Sequence, residues 1–199
     1  MKRFILLIIS IALLAGCSTV PRAPHISLKE DQNQTQPYMR LLRTEMAARN
    51  ININYPMNFR VYLTTNLEKK MNGVVGLCDF KSDRTYIYLD KDAWERMDYV
   101  GREMLMFHEL GHCALDLEHN RSMSYSGEPL SLMFPTLFDP HQYSLHRAEY
   151  IDELAQEWME LYAPRPQINL DDLLKPQKMK RRTFILRPGK EFMHRYRKQ

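Results

Sequence analysis

Four shortages narrow the reading of this 199-residue chain. Its longest apolar run, Phe4 to Leu14, is shorter than the roughly 20 residues a bilayer core requires, so a retained membrane span is not expected. Cysteine is scarce, with Cys17, Cys78 and Cys113 alone, and no internal repeat is visible. Neither sign of charge dominates: once Lys2 and Arg3 leave with the N-terminal segment described below, 28 basic residues become 26, against 24 acidic ones. No nucleic-acid partner is expected of so balanced a chain, and a monomer is. At this length one ordinary domain fits and two catalytic domains do not.

What is present begins with export chemistry. Met1-Lys2-Arg3, the uncharged run from Phe4 to Leu14 and the small residues Ala15-Gly16 make a charged region, an apolar region and a cleavage site. The alternative is a signal anchor that stays in place, which the short apolar run disfavours. Leu14-Ala15-Gly16-Cys17 resembles the bacterial lipobox, which implies removal of residues 1–16, acylation of Cys17 and a lipid-anchored place in the cell envelope. Several acyl chains hold lastingly where one is marginal. Ser18, not Asp, follows the cysteine, which in such lipoproteins implies sorting to the outer membrane, facing the periplasm or the cell surface. Cys78 and Cys113 are then two thiols in a compartment that permits disulfides, and a bridge between them is the economical reading. Two buried free thiols are the alternative.

Along the rest of the chain, residues 17–37 are polar, with Pro21, Pro24 and Pro37, and read as a flexible tether. Met39, Leu42 and Met46 share a helical stripe in a first helix over 38–49. Residues 59–63, 74–80 and 85–89 read as strands of a small antiparallel or mixed sheet. Asp90 or Asp92 caps a long helix carrying Trp94 through Leu110, an irregular loop spans 120–140, and 144–162 is helical again. The order predicts an α+β domain over 38–164. Past Pro166 the composition turns basic, and from Lys175 onward only Glu191 opposes the Lys and Arg residues. The tail 165–199 reads as a solvated charge run; contact with anionic lipid headgroups or a cell-wall polymer is the sharper alternative, and Phe184-Ile185-Leu186 suits an edge strand.

The chemistry concentrates at residues 108–119. On a helix, His108 and His112 lie one turn apart on one face and can point ring nitrogens at one ion, with Glu109 beside them to handle the proton of a water. Zinc in catalytic sites usually takes three protein ligands and keeps an open position. The bland alternative is a pair of surface histidines on an ordinary helix. His119 stands seven residues after His112, about 10.5 Å along the axis of a continuous helix. To join the site, the helix must stop near Cys113 to Asp116 and the chain must turn back, and no glycine stands there to ease the turn.

With His108-Glu109-Leu110-Gly111-His112, then His119, then Ser131-Leu132-Met133-Phe134-Pro135, the chain resembles the metzincin class of zinc peptidases, whose motif is followed by a methionine turn. It departs from that class in having Leu115 where a glycine is usual and in placing the third histidine one residue late, with Glu118 at the usual place. Gly76-Leu77-Cys78 and the cysteine after His112 are similar to small bacterial members. The resemblance spans about residues 73–154. It implies a metzincin-like fold around a long active-site helix, a single catalytic Zn2+ held by His108, His112 and His119, Glu109 as general base, Met133 as an apolar floor, and peptide or protein substrates. It also offers Tyr143 or Tyr150 as support for the oxyanion, each being equally a packing residue. Two rivals stay open: a thermolysin-like site with Glu149, or less readily Glu118, as third ligand; and a non-catalytic metal- or partner-binding envelope lipoprotein with a degenerate peptidase fold.

Overall fold

The computed structural model describes residues 28–55, 59–81, 84–162 and 182–189. The leader, Cys17 and most of the 17–37 stretch lie outside the described residues, as does most of the basic tail. Among the described residues no helix is long and apolar enough to cross a membrane.

The domain opens with a helix α1, Leu28–Ala47. This corrects the expectation of an unordered tether as far as Pro37, and the reason is polar. Low apolar content argues against order only where polar groups gain nothing from it. Here Asp31 is buried and its carboxylate accepts from the Leu63 amide at 3.2 Å, while Gln34 Oε1 accepts from the Trp94 indole at 3.1 Å. Farther along, Tyr38, Leu42 and Met46 form the apolar stripe that enters the core.

Three strands follow. In β1, Phe59–Thr64, and β3, Arg84–Asp90, alternate residues are buried, with Val61, Leu63, Ile87 and Leu89 inward. A short helix α2, Leu67–Lys70, and the strand β2, Gly76–Lys81, lie between them in sequence. Pairing is parallel for β1 with β3 and antiparallel for β2 with β3. The result is the mixed sheet of an α+β domain, completed by two later strands.

The long helix predicted from Asp90 to the motif is two helices: α3, Lys91–Arg96, and α4, Tyr99–Leu115. Each has its own aspartate cap, Asp90 accepting from the Ala93 amide and Asp98 from the Gly101 amide, at 2.9 and 2.8 Å. A side-chain acceptor at an N-cap satisfies one of the orphan amides of a first turn. Helix α4 is the centre of the molecule. It packs on β2 and β3 on one side and on α1 on another, and its residues from Glu103 to Cys113 are all buried. A two-residue strand β4, Thr136–Leu137, a helix α5, Pro140–Leu145, and a helix α6, Arg147–Tyr162, close the far side.

The basic tail also needs correction. Arg182–Pro188 forms β5, which pairs antiparallel with β2 and parallel with β4, giving the order β1-β3-β2-β5-β4. That segment is not a solvated charge run, because Leu186 is fully buried, and not the edge of the sheet, because β2 and β4 pair with it on either side. The domain therefore reaches past residue 164.

Cys78 on β2 and Cys113 in the last turn of α4 form a disulfide with a Cα separation of 5.7 Å, tying the sheet to the helix. A link across 35 residues removes unfolded-chain entropy worth about 3 to 4 kcal/mol. Replacing both cysteines by alanine should lower the melting temperature accordingly, and alkylation of the unreduced protein should leave both residues unlabelled by intact mass. Full labelling would refute the bridge.

Candidate metal centre

The last two turns of α4 carry His108, Glu109, Gly111 and His112, all buried. Beyond Leu115 the helix stops at Asp116, whose backbone is left-handed, φ 54° and ψ 35°. Its amide and that of Leu117 both donate to the Gly111 carbonyl. Glycine is the usual residue for this reversal, but aspartate tolerates the left-handed region better than most side chains. Tyr162 donates to its carboxylate at 2.8 Å. The turn swings the chain beneath the helix end and returns His119 to the site. The ring centroid of His119 lies 4.6 Å from that of His112 and 5.4 Å from that of His108.

One ring nitrogen from each of the three histidines falls within 4.8 Å of the others. The outer nitrogens of the two helix histidines are anchored: Nδ1 of His108 to the Leu132 carbonyl at 2.8 Å, and Nδ1 of His112 to the Leu117 carbonyl at 2.7 Å. A carbonyl only accepts, so each Nδ1 carries the proton of a neutral ring and each Nε2 presents a bare lone pair. These two Nε2 atoms face each other at 3.1 Å. Two acceptors at that distance repel unless a cation lies between them. It is not a proton at neutral pH, because burial pushes His108 down to about 3 and His112 to about 2. Nε2 of His119 is likewise buried without a partner. The donor set fits a metal ion that prefers imidazole.

Glu109 stands beside them, with no exposed surface and neither carboxylate oxygen hydrogen-bonded within the protein. Burial holds its carboxyl well above the usual carboxylate range. Two glycines make room for this packing. A methyl group at Gly76 would lie 2.2 Å from Glu109 Oε1, and one at Gly111 would lie 2.4 Å from Met133 Sδ. Met133 thus packs against the residue that precedes the second histidine, and Gly111 is a motif residue whose role the spacing did not reveal.

Residues 56–136 match the family described as "Putative phage metallopeptidase". Residues 1–18 match a prokaryotic membrane lipoprotein lipid attachment site. The chain is similar to a metallopeptidase over the stretch that holds all three histidines, and to lipid-anchored envelope proteins at its N-terminus. No curated protein and no solved structure matches it.

The other sequence candidates stand elsewhere. Tyr143 is buried and donates to Glu103 at 2.7 Å, beside Arg147, which bridges Glu103 and Glu45. Tyr150 donates to the Pro129 carbonyl at 2.7 Å and accepts from Gln142. Both hydroxyls make these bonds, and among the described residues neither tyrosine ring packs on the three imidazoles. Glu149 is exposed and pairs with His146, and neither it nor the exposed Glu118 joins the group of ligand atoms within reach of one ion.

Sequence reading missed Phe184. Its ring lies flat on His112, with centroids 4.0 Å apart and planes 2° apart, and meets His119 edge-on at 6.2 Å. No local signal marks it, since β5 reaches the site through sheet pairing with β2.

The lowered histidine pKa values set a pH dependence. Between about 3 and the unfolded value of 6.5, the unfolded chain binds more protons than the folded one at these rings, so their contribution to stability is lost as pH falls below 6.5. Glu109 and Glu153, whose carboxyls are raised, act in the opposite direction. In the presence of a chelator, His112→Gln should therefore show a shallower fall in melting temperature from pH 7 to pH 4 than the wild type. Equal slopes in the two proteins would count against the buried neutral imidazoles.

Proposed function

We propose that this protein is a zinc-dependent, metzincin-like metallopeptidase, anchored through Cys17 to the cell envelope. The observation that carries this is the convergence of three imidazoles, two of them facing bare nitrogen to bare nitrogen at 3.1 Å, beside a buried glutamate with no protein partner. His108, His112 and His119 would hold the ion. Zinc suits three imidazoles and an open fourth position, and when bound it supplies Lewis acidity toward water and the substrate carbonyl.

The chain's own groups do the rest. The Leu132 and Leu117 carbonyls fix the tautomer and orientation of the helix histidines, as outer partners of metal ligands commonly do. Glu109, lacking a protein hydrogen bond, is available to take a proton from water at a carboxylate oxygen and deliver it to the leaving amine. A purely structural site has no need of such a base, and this favours hydrolysis over mere metal binding. Met133 supports Gly111 and Phe184 walls one side of His112.

Glu109→Gln should keep one zinc per chain and lose about 100-fold or more in hydrolysis of a peptide library, since an amide cannot accept the proton. His119→Ala should lose the metal. Metal content by mass spectrometry beside cleavage assays checks both, and wild-type activity in Glu109→Gln would end the mechanism. For the anchor, Cys17→Ser should abolish acyl labelling and membrane fractionation; unchanged labelling would refute the attachment.

A further inference from the structure

The two loops that complete the metal centre meet on a side chain that belongs to neither. Asn120, next to His119, donates its amide N–H to the Met133 carbonyl at 3.0 Å and its side-chain N–H to Glu153 Oε1 at 3.2 Å. Ser131, fully buried at the start of the methionine turn, donates its hydroxyl to Glu153 Oε2 at 3.0 Å. The same hydroxyl accepts the Met133 amide at 3.0 Å. Between Ser131 and Met133 lies Leu132, whose carbonyl orients His108. Glu153 itself sits on α6, outside the stretch that matches the metallopeptidase family.

We propose that Glu153 is a positioning residue of the metal centre: its carboxylate, spanning Asn120 and Ser131, sets the His119 loop against the turn that orients His108. This rests on the reading of the three histidines as ligands. A carboxylate has two oxygens with a fixed separation, so accepting one bond from each loop fixes one loop relative to the other in a way a single-acceptor side chain does not. His119 lacks the helix that aligns His108 and His112, and its loop is held against the methionine turn through Asn120. Loss of the clamp should therefore be felt as weaker metal binding more than as lost folding.

The test exchanges donor and acceptor. Glu153→Gln leaves one of its two loops facing an amide N–H in place of a carboxylate oxygen, and Asn120→Asp leaves a carboxylate facing Glu153. In the double variant N120D/E153Q, the new amide donates to the new carboxylate while its carbonyl still accepts from Ser131. Zinc affinity is measured on the full mature protein by chelator competition, with the visible spectrum of the cobalt-loaded form as a reporter of ligand geometry and the melting temperature of the chelated form as the control for folding. Each single variant, and Ser131→Ala, should bind zinc about 10- to 100-fold more weakly, the usual cost of removing an outer partner of a metal ligand. The double variant should return to within about threefold of wild type and recover the wild-type cobalt spectrum. Wild-type affinity in both Glu153→Gln and Ser131→Ala would overturn the role, as would a double variant no better than the singles. A wild-type protein that binds no zinc would instead overturn the ligand reading beneath it. Should Glu153→Gln not fold, Ser131→Ala removes one arm of the clamp and carries the same test.

Discussion

Two neutral imidazoles on one helix face present bare nitrogens to each other at 3.1 Å, because each has committed its single proton to a backbone carbonyl. Much of the domain around α4 serves that arrangement. The Leu117 carbonyl is in reach of His112 only because the chain reverses at Asp116, and the Leu132 carbonyl reaches His108 only because the methionine turn lies against the helix. The turn comes so close because residue 111 has no side chain, and β2 approaches Glu109 so closely because residue 76 has none. The disulfide between β2 and the end of α4 holds the two elements that frame the glutamate. Burial keeps the rings neutral, and neutral rings are the ligating form.

The parts of this arrangement that were legible in the sequence are the ones governed by short-range periodicity. The four-residue spacing of His108 and His112 places both on one face of any helix, and alternation in Phe59–Thr64 and Arg84–Asp90 gives strands whatever surrounds them. The cysteine pair followed from compartment and scarcity. The reversal after Leu115 was legible as a requirement but not as a residue, because Asp116 adopts by tertiary support a conformation that sequence assigns to glycine.

Other features depend on partners distant in sequence. Polarity of residues 28–37 argued for a tether, yet Asp31 and Gln34 are ordered by Leu63 and Trp94, more than thirty residues away. Asp98 divides what periodicity joined, since one cap interrupts a helix without disturbing its apolar repeat. Glu153 lies on the exposed-to-buried boundary of a helix that reads as ordinary, and Phe184 lies in a stretch whose charges suggested solvent. Each acquires meaning only when loop meets loop or strand meets strand. A motif marks the residues that share one element, and the residues that align those elements need no common spacing.

The early start of α1 also changes how the domain relates to its anchor. With acylation at Cys17, eleven peptide steps separate the lipid-bearing residue from Leu28. At a maximum of about 3.6 Å per residue, that path is at most about 40 Å even when fully drawn out. A tether ending at Pro37 would have allowed nearly twice the reach. Because α1 packs on β1 and α4, its first turn is fixed relative to the metal centre, and the anchor restrains the whole domain rather than a detachable helix. The proposed peptidase, held in this way, would meet its substrates within a few nanometres of the bilayer, so the segments it cleaves would have to belong to envelope components that enter that layer.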